Sequence, residues 1–389
     1  MDYLLEISRI IDGAVKGNQD KVLAYVQQLA RKLNEAGDIK AAARLLRTVE
    51  KNGMPEVTTS SVKTSPQLPV DNESRLALAD EQLILLEDVK LILDSLIERQ
   101  VSEFIRFVKA ADKLFASPVG IAPTMLIYGI PGVGKTELAR YIAAQLDLPL
   151  ITARSDSLIS SFLGSTAKNL RTLFEHTMDR PCILFLDELD SFAKLRDDQH
   201  ELGELKRVVV SLLQNIDALD NQIVLLAATN HQHLLDPAIW RRFKYKLELK
   251  PPNFNNRKCI FNLFLNDYLE EQDSLDHFAS LTDGATGADI RDICEKAIRI
   301  AILDDRKFID TIDVLRSIIE LQLSVTADFS NNNSEQIQSI HNLNPKVFTI
   351  KQLAALFNSS ETTIFRRLNE GGSYARKRKK TANQGSNTG

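Results

Sequence analysis

Apolar residues recur three and four positions apart over Tyr3 to Val15, Asp20 to Ala36 and Asp38 to Lys51, with Gly17-Asn18 and Gly37-Asp38 between the stretches. Each stretch predicts a short helix with one apolar stripe, and three such helices can close a small antiparallel bundle over residues 1 to 53. A bundle this small leaves a groove for a partner helix, while an ordinary helical cap explains the same pattern. Next comes PEVTTSSVKTSPQLPVDN, rich in proline and hydroxylated residues, so residues 54 to 72 are expected to form a flexible linker. Helical spacing follows at Leu83 to Ile97 and Val101 to Leu114, and it then alternates with continuous apolar runs. The runs are Thr124–Tyr128, Leu150–Ala153, Cys182–Asp187, Gln222–Thr229 and Tyr245–Leu249. Such alternation predicts an α/β unit over residues 73 to 250: a parallel sheet flanked by helices, with ligands gathered at the carboxyl ends of its strands.

After Pro251-Pro252 the helical period returns at Asn256 to Leu269, Gly287 to Asp304 and Thr311 to Leu323, which predicts a small all-α lid over residues 251 to 324. The stretch 325 to 345 is polar and rich in Asn and Ser, as a second linker would be. Residues 346 to 370 carry a two-helix pattern, and residues 371 to 389 are expected to be a basic disordered tail.

Composition narrows the class only a little. A net charge of −4 and a sequence pI near 6.0 argue against a generic nucleic-acid coat, although the average hides the basic tail. Cys182, Cys259 and Cys294 stand far apart in no metal-ligand spacing, and His231 and His233 lack a third ligand, so buried thiols and surface-loop histidines are expected. The opening MDYLLEISRIIDG has neither a basic start nor a long apolar core, and no run reaches the ~18 apolar residues of a membrane span. A cytoplasmic protein with no membrane partner is the expectation.

The chemistry concentrates at strand ends. Gly129 to Thr136 reads GIPGVGKT directly behind the Thr124–Tyr128 run, and the helical pattern continues through Glu137. Gly129, Ile130, Pro131, Gly132, Val133 and Gly134 form a loop whose backbone N–H groups can cup the β- and γ-phosphates of ATP. Lys135 adds a positive point charge, and Thr136 offers the hydroxyl that a phosphate-bound Mg²⁺ takes as a ligand. The next signal is CILFLDE, an apolar strand ending in two acids of the Walker B form. Asp187 is expected to hold Mg²⁺ and Glu188 to polarise the attacking water. Asn230, at the end of IVLLAATN, is placed to bridge the γ-phosphate and that water. Arg241 and Arg242 follow a short helical stretch, and as trans-acting fingers they would neutralise charge on a neighbour's γ-phosphate.

From about Leu83 to Leu323 the chain resembles an AAA family ATPase of the group that includes meiotic, proteasomal and FtsH-like unfoldases. The likeness rests on GIPGVGKT, LFLDELDSFAKLR, VVVSLLQNIDAL, LLAATN, LDPAIWRRF and GATGADIRDICEKA in the family's order. It implies a P-loop NTPase fold, a homo-oligomeric ring that is normally a hexamer, and active sites completed by a neighbour's arginines. It also implies a lid in which Gly287 and Ala288 cover the adenosine. Ala288 stands where more distant relatives carry an arginine, so Arg291 is not a γ-phosphate sensor. Phe162, Leu163 and Gly164 resemble the family's aromatic–aliphatic–glycine pore loop, which grips an extended polypeptide. Ile130 replaces a usual proline, and residues 97 to 123 lack the family's standard entry wording. Residues 2 to 52 resemble the microtubule-interacting-and-trafficking type of three-helix adaptor, which implies a protein partner at that end.

The residues beyond the resemblance read TIKQLAALFNSSETTIFRRL from Thr349, which looks like a helix-turn-helix. Leu353, Ala354 and Phe357 would pack against Ile364 and Leu368, Asn358 would take a left-handed turn, and Ser360 would cap the second helix. Ser359 departs from the apolar residue such motifs carry. Candidate DNA contacts are Thr362, Thr363 and Arg366 on that helix, with Arg376 and Lys377 in the basic tail. A two-helix adaptor with a solvated tail is the alternative. Two functions follow as expectations. One is an ATP-hydrolysing ring that remodels or unfolds proteins; the alternative is an ATP-gated DNA-binding regulator.

Overall fold

A computed structural model describes residues 3–15, 19–35, 38–51, 69–71, 76–110, 123–158, 163–178, 181–191, 202–219, 223–269, 274–323, 329 and 333–369. The chain divides into two compact units, one of residues 1–91 and 95–250, the other of residues 92–94 and 251–389. The first opens with the helices Leu4–Val15, Gln19–Glu35 and Ile39–Lys51. They bury Tyr25, Val26, Leu29 and Ala42, and Glu6 lies fully buried with the Lys32 ammonium 2.6 Å from its carboxylate.

Beyond the bundle stands a six-stranded sheet: β1 (Ala79–Gln82), β2 (Thr124–Tyr128), β3 (Leu150–Ala153), β4 (Ile183–Leu186), β5 (Val224–Thr229) and β6 (Tyr245–Glu248), in the order β1-β3-β4-β5-β2-β6. Strands β2 to β6 pair in parallel, and β4 and β5 are buried along their whole length. Continuous burial of this kind is why these strands read as unbroken apolar runs. Helices cover the sheet, and Leu126, Leu184 and Leu225 share one core with Phe174, Leu212 and Phe243. One strand, β1, was not visible in the pattern. Strand β1 is the polar ADEQ and pairs antiparallel to β3 from Ala79 opposite Ala153, so the sheet is mixed at one edge. An edge strand needs only backbone partners and one buried face, here anchored by the fully buried Leu78 beside it.

The second unit is all-α. The helices Phe254–Leu265, Leu275–Leu281, Gly287–Leu303 and Thr311–Leu323 enclose Phe261, Phe278, Ile290 and Ile318. Leu275–Leu281 escaped the sequence pattern because a seven-residue helix offers barely two turns of periodicity. The stretch read as a linker over 325 to 345 is corrected in part. It contains the helix Ser334–Leu343, capped by the Asn333 side chain accepting from the Glu335 N–H at 3.0 Å. Its Ile337 and Ile340 are fully buried, and Phe329 packs against the same core. The helices Ile350–Leu356 and 361–369 follow, and Phe348, Leu353, Leu356 and Ile364 enter the same core as Phe261 and Phe278. Residues 371–389 lie outside the described residues.

Candidate active site

The phosphate loop leaves β2 at its carboxyl end. Gly129 has φ +152°, and a Cβ built on it would sit 2.2 Å from the Leu249 carbonyl oxygen. The Leu249 N–H in turn donates to the Tyr128 carbonyl at 2.8 Å, so the residue just past β6 closes against the base of the loop. No side chain fits there. Gly129→Ala should cost about 1–3 kcal/mol of stability and weaken ATP binding. Titration with a fluorescent ATP analogue that matched the unsubstituted chain would refute this.

Lys135 opens the helix Lys135–Leu146 and is buried. Its ammonium donates to the carbonyls of Gly129 at 2.9 Å and Ile130 at 2.8 Å, which folds it over the loop it serves. Burial lowers its pKa, and the nearby Asp187 and Asp190 carboxylates act against that shift. An incoming polyphosphate would supply the anionic partner that the two carbonyls only partly replace.

Three strand tips converge beside the loop. The Thr136 hydroxyl donates to Asp187 Oδ2 at 2.9 Å, and the Glu188 N–H donates to Asp187 Oδ1 at 2.9 Å. A hydroxyl and a carboxylate in contact form the hard-oxygen set that Mg²⁺ accepts while keeping several waters, so these residues fit the ion. Glu188 is exposed and takes φ +51°, a left-handed conformation that a non-glycine residue adopts at a cost of about 1–3 kcal/mol. Asn230 follows β5, and the Gly129 N–H reaches the Thr229 carbonyl at 3.4 Å, which sets this tip against the loop. Asp190 was not singled out in the sequence. It is buried and accepts from the Thr229 hydroxyl at 3.0 Å and the Asn230 N–H at 3.4 Å, tying the β4 turn to the β5 tip. Its place three residues after Asp187 was the available signal.

The arginine pair sits elsewhere. The helix Pro237–Arg242 is capped by Asp236 and leads into β6. The Arg242 carbonyl accepts from the Thr124 hydroxyl at 3.0 Å, and that hydroxyl also accepts from the Lys244 N–H at 3.0 Å. Thr124 is the first residue of β2, so the pair lies at the amino end of the sheet, about 13 Å of strand from the phosphate loop. Arg242 grips Asp217 through Nε at 2.9 Å and Nη2 at 2.8 Å, which pulls the Asp217 carboxyl below its usual range. Arg241 is exposed and makes no ion pair among the described residues.

The other expected positions divide. Phe162 lies outside the described residues, and Leu163 and Gly164 fall in the first turn of the helix Leu163–Met178 instead of on a loop before it. The helical pattern read from Ala167 simply extends one turn further back. In the second unit Gly287 and Ala288 open the helix Gly287–Leu303 behind a capping box of Thr286 and Asp289. Arg291 pairs along its own helix with Glu295, 3.7 Å away.

The family model described as ATPase family associated with various cellular activities (AAA) matches residues 125–251, and a model of the AAA+ lid domain matches residues 272–315. The chain is 37% identical over 228 residues to an uncharacterised AAA family ATPase of Sinorhizobium fredii, covering 59% of this chain and 69% of that protein. The chain belongs to the AAA family of ATPases. As an AAA ATPase it hydrolyses ATP, and the 129–136 loop, Asp187, Glu188 and Asn230 lie at the carboxyl ends of β2, β4 and β5, which are neighbours in the sheet. It is also 36% identical over 219 residues to proteasome-activating nucleotidase 1 of Haloferax volcanii and 34% identical over 230 residues to a proteasome-activating nucleotidase of Methanopyrus kandleri. Those alignments cover 54% and 57% of this AAA ATPase but 53% and 52% of the relatives, so it spans about half the length of each. No helix among its described residues is long and apolar enough to cross a membrane.

Proposed function

We propose that this AAA ATPase works as a homo-oligomeric ring, a hexamer by family likeness, that couples ATP hydrolysis to the remodelling or unfolding of protein substrates. One observation carries the ring: Arg241 and Arg242 stand at the amino end of β2 and the phosphate loop at its carboxyl end. An arginine there cannot reach the γ-phosphate held by its own loop, whereas it can complete the site of an adjacent copy. The relatives named as proteasome-activating nucleotidases support the choice of a protein substrate.

In the proposed cycle the loop amides and Lys135 hold the β- and γ-phosphates, and Lys135 exchanges its two carbonyl contacts for phosphate oxygens. Thr136 and Asp187 would hold Mg²⁺, which when bound neutralises charge on the phosphates. Glu188 accepts a proton from the water that attacks the γ-phosphorus, and Asn230 orients that water. The bond to the bridging oxygen breaks, and ADP leaves carrying the negative charge. Arg241 of the adjacent copy lies against the γ-phosphate, while Arg242, held by Asp217, fixes the helix that presents it. Residues 1–53 recruit the substrate through their groove, and Phe162 grips it.

The test is ATP-driven unfolding of a tagged fluorescent protein, with sedimentation to measure assembly. A species that stays monomeric with ATP, or hydrolyses ATP without ever unfolding a substrate, removes the reading. Phe162→Ala should leave ATP turnover within about two-fold and abolish unfolding. Unfolding at the normal rate would withdraw Phe162 from the role.

A further inference from the structure

Residues 333–369 are not used by the ATPase reading. We propose that they form a DNA-binding helix-turn-helix that docks the helix over residues 361–369 in the major groove of duplex DNA. The unit has the three helices such a reader needs. Ser334–Leu343 buries Ile337 and Ile340, Ile350–Leu356 buries Leu353 and Leu356, and the last helix buries Ile364. The Gln338 side chain donates to the Leu368 carbonyl at 2.8 Å, which ties the first helix to the third.

The turn between the second and third helices has the expected chemistry. A capping box of Thr349 and Gln352 starts the second helix. Asn358 takes φ +47°, a conformation asparagine tolerates better than other side chains, and the Ser360 hydroxyl accepts from the Thr363 N–H at 3.2 Å to start the third helix. Thr363 is half-buried, and its hydroxyl lies 2.9 Å from that of Ser360, so it belongs to the cap rather than to a contact face.

With Ile364 turned inward, Glu361, Thr362, Phe365, Arg366 and Asn369 form one exposed stripe along the helix. Phe365 is 58% exposed in the middle of it, beside a hydroxyl and a guanidinium. That mixture matches base edges: an arginine fork meets guanine, an amide meets adenine, and an apolar ring meets the thymine methyl. Charge selects the same partner. In a chain of net charge −4, residues 371–389 hold Arg376, Lys377, Arg378, Lys379 and Lys380 and no acid. A run of cations beginning seven residues beyond the last helix suits the phosphate backbone that flanks the groove.

The experiment uses the full chain and a fluorescently labelled, random-sequence duplex, followed by selection of the bound fraction. Duplex binding that weakens with salt, together with enrichment of one sequence, is expected. Neutralising the five tail cations to glutamine should flatten the slope of log affinity against log salt by about 4. Arg366→Ala should cut the preference for the selected sequence about ten-fold or more and leave the salt slope within about one unit. ATP turnover, unchanged in both variants, reports that they are folded. Three outcomes overturn the proposal: no duplex binding at low salt, equal binding to an RNA hairpin or heparin with no enriched sequence, or full sequence preference in Arg366→Ala.

Discussion

Replacing Arg241 with alanine should lower ATP turnover about 10³-fold or more while leaving ATP binding intact, the size of effect isolated for external arginines in other nucleotide hydrolases. The side chain is exposed, and its removal breaks no ion pair among the described residues, so little folding cost confuses the reading. The effect should also be curable in trans. A subunit carrying Lys135→Ala has an empty site and an intact Arg241; a subunit carrying Arg241→Ala has the reverse. Mixed together, they should recover turnover that neither shows alone. A mixture as inactive as its parts, or an Arg241→Ala protein of normal activity, would remove the neighbour-completed site. Arg242→Ala acts differently, because it breaks the fork to Asp217 and loosens the Pro237–Arg242 helix. It should lower turnover less than Arg241→Ala does, because Arg241 itself remains, and the same mixing should restore turnover, because the Lys135→Ala subunit presents an intact helix.

Glu188→Gln should reduce turnover by about 10²–10⁴-fold and still bind ATP and assemble. Glutamine keeps the length of the side chain and the Glu188 N–H to Asp187 contact, and it pays the same backbone cost at φ +51°. What it lacks is a basic oxygen to take the proton from water. Single-turnover measurement separates this loss from slow release of ADP, since only the chemical step should slow. Normal single-turnover hydrolysis in this variant would falsify the assignment of the base.

Legibility varied with what each residue had to satisfy. The central strands were plain in the pattern because burial on both faces forces unbroken apolar runs, as in ILFL of β4 and VLLAAT of β5. The turn at Gly129 and the helix that Lys135 opens were plain because GIPGVGKT follows directly on an apolar run, the order of strand, glycine turn and helix. The polar strand β1 and the helix Ser334–Leu343 were not, since each owes its place to partners distant in sequence. Asp190, Thr124 and Asp217 were missed for the same reason. Each acts through hydrogen bonds or an ion pair to residues at least 25 positions away in sequence. The different surroundings of Arg241 and Arg242 could not be read from two adjacent arginines; the Asp217 contact separates them.

The buried surface that Phe261 and Phe278 share with Phe348, Leu353 and Ile364 has a consequence for how this chain can be cut and grafted. A break anywhere between residues 323 and 334 would leave both pieces with half a core and exposed aromatic rings. The C-terminal helices are therefore inseparable from the lid as a folding unit, so deleting them would damage the ATPase for reasons unrelated to what they bind. Point changes on the outer face of the 361–369 helix are the clean way to ask about its partner.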